Sequence, residues 1–218
     1  MFALAKRRLR DAINTPGREG TTLPIWTISQ AKEKFVVFDY PGDDGSRVTA
    51  WFKGQLRAIG TCLKEGLPEA SLTLVYAGID TFGLLGAQSG VDFSTRSTFI
   101  QWCEGYILTR LHAVGGGAVP AIDLYAARCG VLHTSTPLSD LERKGQAHEI
   151  WYQFLGQTGV NLITDAKLEP LILDVQELAT AFKEGGLAFM ADLQQDTAKL
   201  ANAEARAAHF LRWGKASM

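Results

Sequence analysis

The chain has few of the residues that would mark an extracellular, metal-bound or membrane protein. Only three of its 218 residues are cysteine, Cys62, Cys103 and Cys129, and they lie far apart. No two have metal-ligand spacing, and an odd count does not close a disulfide framework. Reduced thiols and a cytoplasmic location are the expectation. Charge of one sign is also scarce, with a formal net charge of −1. Proteins that coat nucleic acid by general phosphate attraction are more basic, so a broad coating role is excluded while a small local cleft is not. No apolar run approaches membrane-spanning length, and the short apolar start followed by Lys6, Arg7, Arg8 and Arg10 does not read as a secretory signal. Internal repeats and low-complexity segments are missing. The glycine-rich stretch from His112 to Pro120 lacks the Lys-Ser/Thr of a P-loop and reads as a plain helix–helix connection. Neither a cofactor nor a metal is expected.

What the chain does have is enough apolar material for a sizeable core, 46% of its residues. Residues 1–45 read as an N-terminal extension holding a basic helix and a strand at 34–40. The segment 46–137 reads as a helical core. Ser46 opens a helix whose stripe is Val48, Trp51, Phe52, Leu56, Ile59 and Leu63, and Gly66 is placed to end it. Pro68 starts the next helix, with Leu72, Val75, Tyr76, Ile79, Phe82 and Gly83 on its buried face. Asp80 lies beside that face and needs a partner, because burying a lone charge is costly. A third helix is expected over 94–109. Within 138–218, Ser139-Asp-Leu-Glu is a capping box for a short helix closed by Gly145. Alternation over 148–154 and short apolar runs at 162–164 and 171–175 predict a hairpin or small sheet. Helices over 175–192, interrupted at Gly185-Gly186, and over 196–213 complete the chain. The expected class is mainly α, with a small β element in the C-terminal half.

The segment 121–137 carries the candidate chemistry. Ile122, Tyr125, Ala126, Cys129 and Leu132 recur at helical spacing, Pro120 suits the start, and Pro137 ends the run. Arg128 stands in its second half, and His133 follows four residues later, in or just past the last turn. A second Arg/His pair, Arg143 and His148, lies in a polar, glycine-containing setting without an apolar face, so context selects the first.

This arrangement resembles the HEPN superfamily, helical proteins many of which are ribonucleases, whose signature is Arg, four to six residues, then His at the end of an apolar helix. The resemblance covers about residues 67–137. It implies an antiparallel helical-bundle core, a metal-independent endoribonuclease of a defence or toxin type, RNA as partner, and a homodimer with two motifs across its cleft. Cys129 departs from the polar residue that often follows the arginine in that family.

The residue types suit the chemistry. RNA cleavage without a metal needs proton transfer at the 2′-hydroxyl and leaving oxygen, which histidine performs near neutral pH. It also needs stabilisation of the phosphate's added charge, for which arginine offers a planar fork. Residues five apart on an ideal α-helix, however, are separated by about 140°. Either the last turn departs from α geometry, or two copies pair each arginine with the other's histidine. Asp80, Asp123 and Tyr125 are supporting candidates. The competing reading makes Arg128 the ion-pair partner of Asp80 or Asp123 and His133 a cap on free carbonyls. The chain is then a catalytically silent HEPN-like dimer that binds a protein partner or regulates an effector.

Overall fold

The computed structural model describes residues 46–134, 139–155, 157–158 and 168–211. The expected strand at 34–40, the N-terminal basic cluster and the strand candidate at 162–164 lie outside them. The elements are α1 (Arg47–Lys64), α2 (Pro68–Leu85), α3 (Arg96–Trp102), α4 (Ala121–Cys129), α5 (Asp140–Arg143), β1 (Ile150–Phe154), β2 (Gln157–Thr158), β3 (Leu171–Asp174), α6 (Val175–Gln195) and α7 (Thr197–Phe210). Two of these helices continue into π turns, α3 through Cys103–Ile107 and α4 through Gly130–Thr134. The protein is mainly helical with one small sheet. No helix among the described residues is long and apolar enough to cross a membrane.

Helix α1 starts where the Ser46 hydroxyl accepts the Thr49 N–H, 3.0 Å away. The Glu204 carboxylate of α7 takes the N–H of Val48 at 3.3 Å, satisfying another donor of that first turn. Gly66, at φ 73°, ends the helix in a backbone conformation that glycine adopts without strain. Helix α2 then doubles back, and the Gln55 amide donates to the Leu74 carbonyl at 2.5 Å. The expected stripes meet here: Val48, Phe52, Leu56 and Ile59 pack with Val75, Tyr76, Ile79 and Phe82, all fully buried.

Phe82 is the hub of the core. Its ring lies 4.9 Å from Phe52, 5.2 Å from Trp102, 5.8 Å from Phe182 and 5.1 Å from Phe189, centroid to centroid. Glycines make room for this cluster. Helix α6 runs unbroken through Gly185-Gly186, where an interruption was expected. A Cβ at Gly185 would stand 2.6 Å from the Tyr106 carbonyl oxygen, and one at Gly186 would run into the Phe52 ring. The pair is a packing notch, and the helix gives up propensity there for close approach.

The sheet has strand order β2-β1-β3. β1 and β2 pair antiparallel, with Gln153 opposite Thr158, closer in sequence than the expected strand candidates at 162–164 and 171–175. β3 runs parallel to β1, in register Ile150↔Leu171 to Gln153↔Asp174. The glycine-rich stretch is a tight turn, not a simple helix–helix connection. His112 bridges Ala118, Gly115 and Gly116 have φ of 97° and 90°, and the Val114 N–H donates to Ile172 of β3 at 2.8 Å.

Candidate functional site

Helix α4 begins after Pro120, whose carbonyl accepts the Asp123 N–H at 3.0 Å. Its buried face is rotated from the expected one. Asp123, Leu124, Ala126 and Ala127 are buried, while Ile122, Tyr125, Cys129 and Leu132 are only half-buried. The rotation follows from Asp123, which turns inward to serve His148. Its Oδ1 accepts the His148 backbone N–H at 3.0 Å, and its Oδ2 lies 2.9 Å from Nδ1 of the same residue. Asp123 is therefore not the partner of Arg128. His148, set aside on sequence as loop-like, does lie outside regular structure, yet it is anchored to the motif helix.

Arg128 sits in the last turn of α4 and reaches across to α2. Its Nε donates to Asp80 Oδ2 at 2.7 Å, and Nη2 lies 2.5 Å from the same oxygen. The other oxygen, Oδ1, accepts the Ser94 hydroxyl at 2.8 Å. Both side chains of the ion pair are largely buried, at 16% and 14% exposure. Burial disfavours the guanidinium charge, but the bonds and charge of Asp80 outweigh it and hold the Arg128 pKa above its ordinary value. The expectation that Asp80 needs a partner is met by two residues, one on each oxygen.

Tyr125 lies one turn before Arg128. The guanidinium carbons of Arg128 and Arg96 stand 6.0 Å and 5.8 Å from its ring centroid, within cation–π range. Phe99 supports the ring edge-on at 5.6 Å. Burial pushes the Tyr125 phenol up, helped by the neighbouring Cys129, against the two arginines that pull it down. Cys129 is half-buried, beside the side chains of Tyr125 and Arg128, whose electrostatics it affects.

The turn that follows holds His133 and is π-helical, Gly130–Thr134. A π turn bonds residue i to i+5 and winds less per residue than an α-helix, so the angle between positions 128 and 133 is smaller than on an α-helix. The geometric difficulty seen in the sequence is thereby reduced within one copy of the chain.

Spacing gave no sign of the polar seam between α4, α5 and β1. The Tyr76 and Tyr152 hydroxyls meet at 2.5 Å, and burial raises the pKa of both phenols. Glu142 is buried and accepts the Ser139 N–H, completing the expected capping box. Glu149 is fully buried, with no hydrogen bond of good geometry to either oxygen, and the buried Trp151 indole N–H likewise lacks one. Among the described residues no group of three His, Cys, Asp or Glu is arranged to hold a metal ion.

Two cavities lie away from Arg128. One of about 280 Å³ is walled by Trp102, Phe189 and Leu193, and one of about 810 Å³ lies between the Gly115–Gly116 turn and the start of α6. Comparison with protein-family models, curated proteins and solved structures found no significant match.

Proposed function

We propose that the chain is a metal-independent endoribonuclease of HEPN type, in which Arg128 holds the scissile phosphate and His133 moves the proton. The observation that carries this reading is the pairing of a positioned arginine with a π turn. Asp80 and Ser94 fix the Arg128 guanidinium, and the following π turn contains His133. π turns inside helices are frequent at functional sites. The 2′-hydroxyl gives its proton to solvent water as its oxygen attacks phosphorus, and the 5′-oxygen leaves carrying a proton from His133. Arg128 stabilises the charge that builds on the phosphoryl oxygens, and His133 protonates the leaving oxygen. On this reading the protein is a cytoplasmic homodimer with an antiparallel helical core, and the two motifs face each other across the dimer axis.

A second reading has its own observation. The Arg128–Asp80 pair joins α4 to α2 as a structural tie would, and a catalytically silent HEPN-like dimer that binds a protein partner needs no more than that.

The test is cleavage of a mixed RNA pool in chelator by wild type, Arg128→Ala, His133→Ala and Asp80→Asn, with circular dichroism as folding control. The nuclease reading expects Arg128→Ala and His133→Ala to lose at least a hundredfold in rate. Asp80→Asn should retain more activity than Arg128→Ala, since the guanidinium survives. Folded wild type that leaves every RNA intact, and DNA likewise, favours the silent dimer.

A further inference from the structure

We infer that Phe93 and Arg96 form a nucleotide subsite beside Arg128, one that selects single-stranded RNA by stacking an unpaired base and holding a second phosphate. The inference rests on the nuclease reading and adds to it the form of the substrate.

Four observations converge on this segment. Phe93 is 71% exposed, the most exposed of the large apolar side chains among the described residues. The next residue, Ser94, is bonded to Asp80, the carboxylate that grips Arg128, so the loop bearing the ring is tied to the candidate site. Arg96 is exposed and shares the Tyr125 ring with Arg128. Its backbone direction is set by the capping box of Thr95 and Thr98 immediately around it. Arg128 is balanced by Asp80, whereas among the described residues Arg96 forms no ion pair and neither does the loop's own acid, Asp92.

An exposed aromatic ring three residues before an exposed guanidinium suits a single nucleic-acid strand. Bases stack on the ring irrespective of sequence, and the arginine tracks the backbone. Stacking needs a base free of its complement, so a duplex whose bases stay paired does not fill the ring site. Tyr125 contributes as the surface against which both arginines are held, not as a stacking partner, because it is half-buried.

The experiment uses the full chain and a fluorescent oligoribonucleotide carrying 2′-O-methyl groups, which blocks the nucleophile and separates binding from cleavage. Anisotropy titrations compare wild type, Phe93→Ala, Arg96→Ala and Arg96→Lys on the single strand and on its duplex. Each alanine variant should weaken single-strand binding about tenfold. Arg96→Ala should also lower the slope of log affinity against log salt by about one, Phe93→Ala should leave the slope unchanged, and Arg96→Lys should restore it. Wild type should prefer the single strand. Cleavage that depends on Arg128, with binding equal in all four proteins or equal for duplex and strand, overturns this subsite and leaves the nuclease reading standing. Wild type that neither binds nor cleaves RNA overturns both.

Discussion

The core around Phe82 and the seam around Tyr152 are built on opposite terms. In the first, aromatic rings and aliphatic side chains from α1, α2, α3 and α6 close on one another, and glycine notches let the helices approach. Burial there is favourable for nearly every atom. In the second, Asp123, Glu142 and Glu149 are buried where α4, α5 and β1 meet, and the half-buried Tyr152 of β1 reaches the buried Tyr76 of α2. Each polar group there must find a partner or lose stability. Asp123 and the tyrosines find one, Glu142 finds one for a single oxygen, and Glu149 finds none of good geometry. The comparison teaches that stability and specificity are distributed unequally: the core supplies the energy, and the seam dictates how α4 is turned.

The largest expected effect breaks the first region. Phe82→Ala should cost about 3–5 kcal/mol, because five neighbouring aromatic rings cannot all collapse into the space left. Urea unfolding measures it, and a loss below 1 kcal/mol would contradict the hub role. Next comes the link between the regions. Arg128→Ala leaves the largely buried Asp80 carboxylate without its cation and should cost about 3 kcal/mol. In a double-mutant cycle with Asp80→Asn the coupling should be about 1 kcal/mol or more; additive losses would show that the pair contributes nothing as a pair.

Smaller effects test the seam. Tyr152→Phe deprives the buried Tyr76 hydroxyl of its partner and should cost about 1–2 kcal/mol, whereas Tyr76→Phe with Tyr152→Phe should recover part of it. Equal stability of the single variant would remove the hydroxyl pair from the account. The smallest effect has the opposite sign. Burial raises the Glu149 carboxyl above its usual range in the folded protein. The folded state then holds that proton more tightly than the unfolded chain. Its contribution is complete below the ordinary carboxylate pKa and is lost as pH rises through the raised folded value. Glu149→Gln should therefore stabilise at neutral pH by about 1 kcal/mol or less, and flatten the decline in stability above the acid range. A variant less stable than wild type at pH 7 would show that the carboxylate is ionised and paired.

Much of the core was legible because helical periodicity is local. Val48, Phe52, Leu56, Ile59 and Leu63 mark the inner face of α1 by spacing alone, and Pro68, Gly66 and the Ser139–Glu142 box mark element ends through chemistry of adjacent residues. Gly185-Gly186 misled because low helix propensity is also local, while the Tyr106 carbonyl and Phe52 ring that require glycine come from distant parts of the chain. The same limit applies at the candidate site. Asp80 was recognisable as an acid in need of a partner, and Arg128 as one of its possible cations. Whether Asp80 or Asp123 would take the arginine was not recoverable, since His148 competes for Asp123 from 25 positions along the chain.

What the sequence determined by itself is the approximate place of most helices among the described residues, and the presence of Arg128 and His133 in one helical run. These depend on side-chain period, caps and breakers within a few residues of one another. Only the tertiary structure decided which acid holds Arg128, how α4 is rotated, that β3 lies parallel to β1, and that the turn carrying His133 is π-helical. Those outcomes depend on which groups meet across long separations, where burial makes an unpaired charge or carbonyl costly and one partner excludes another.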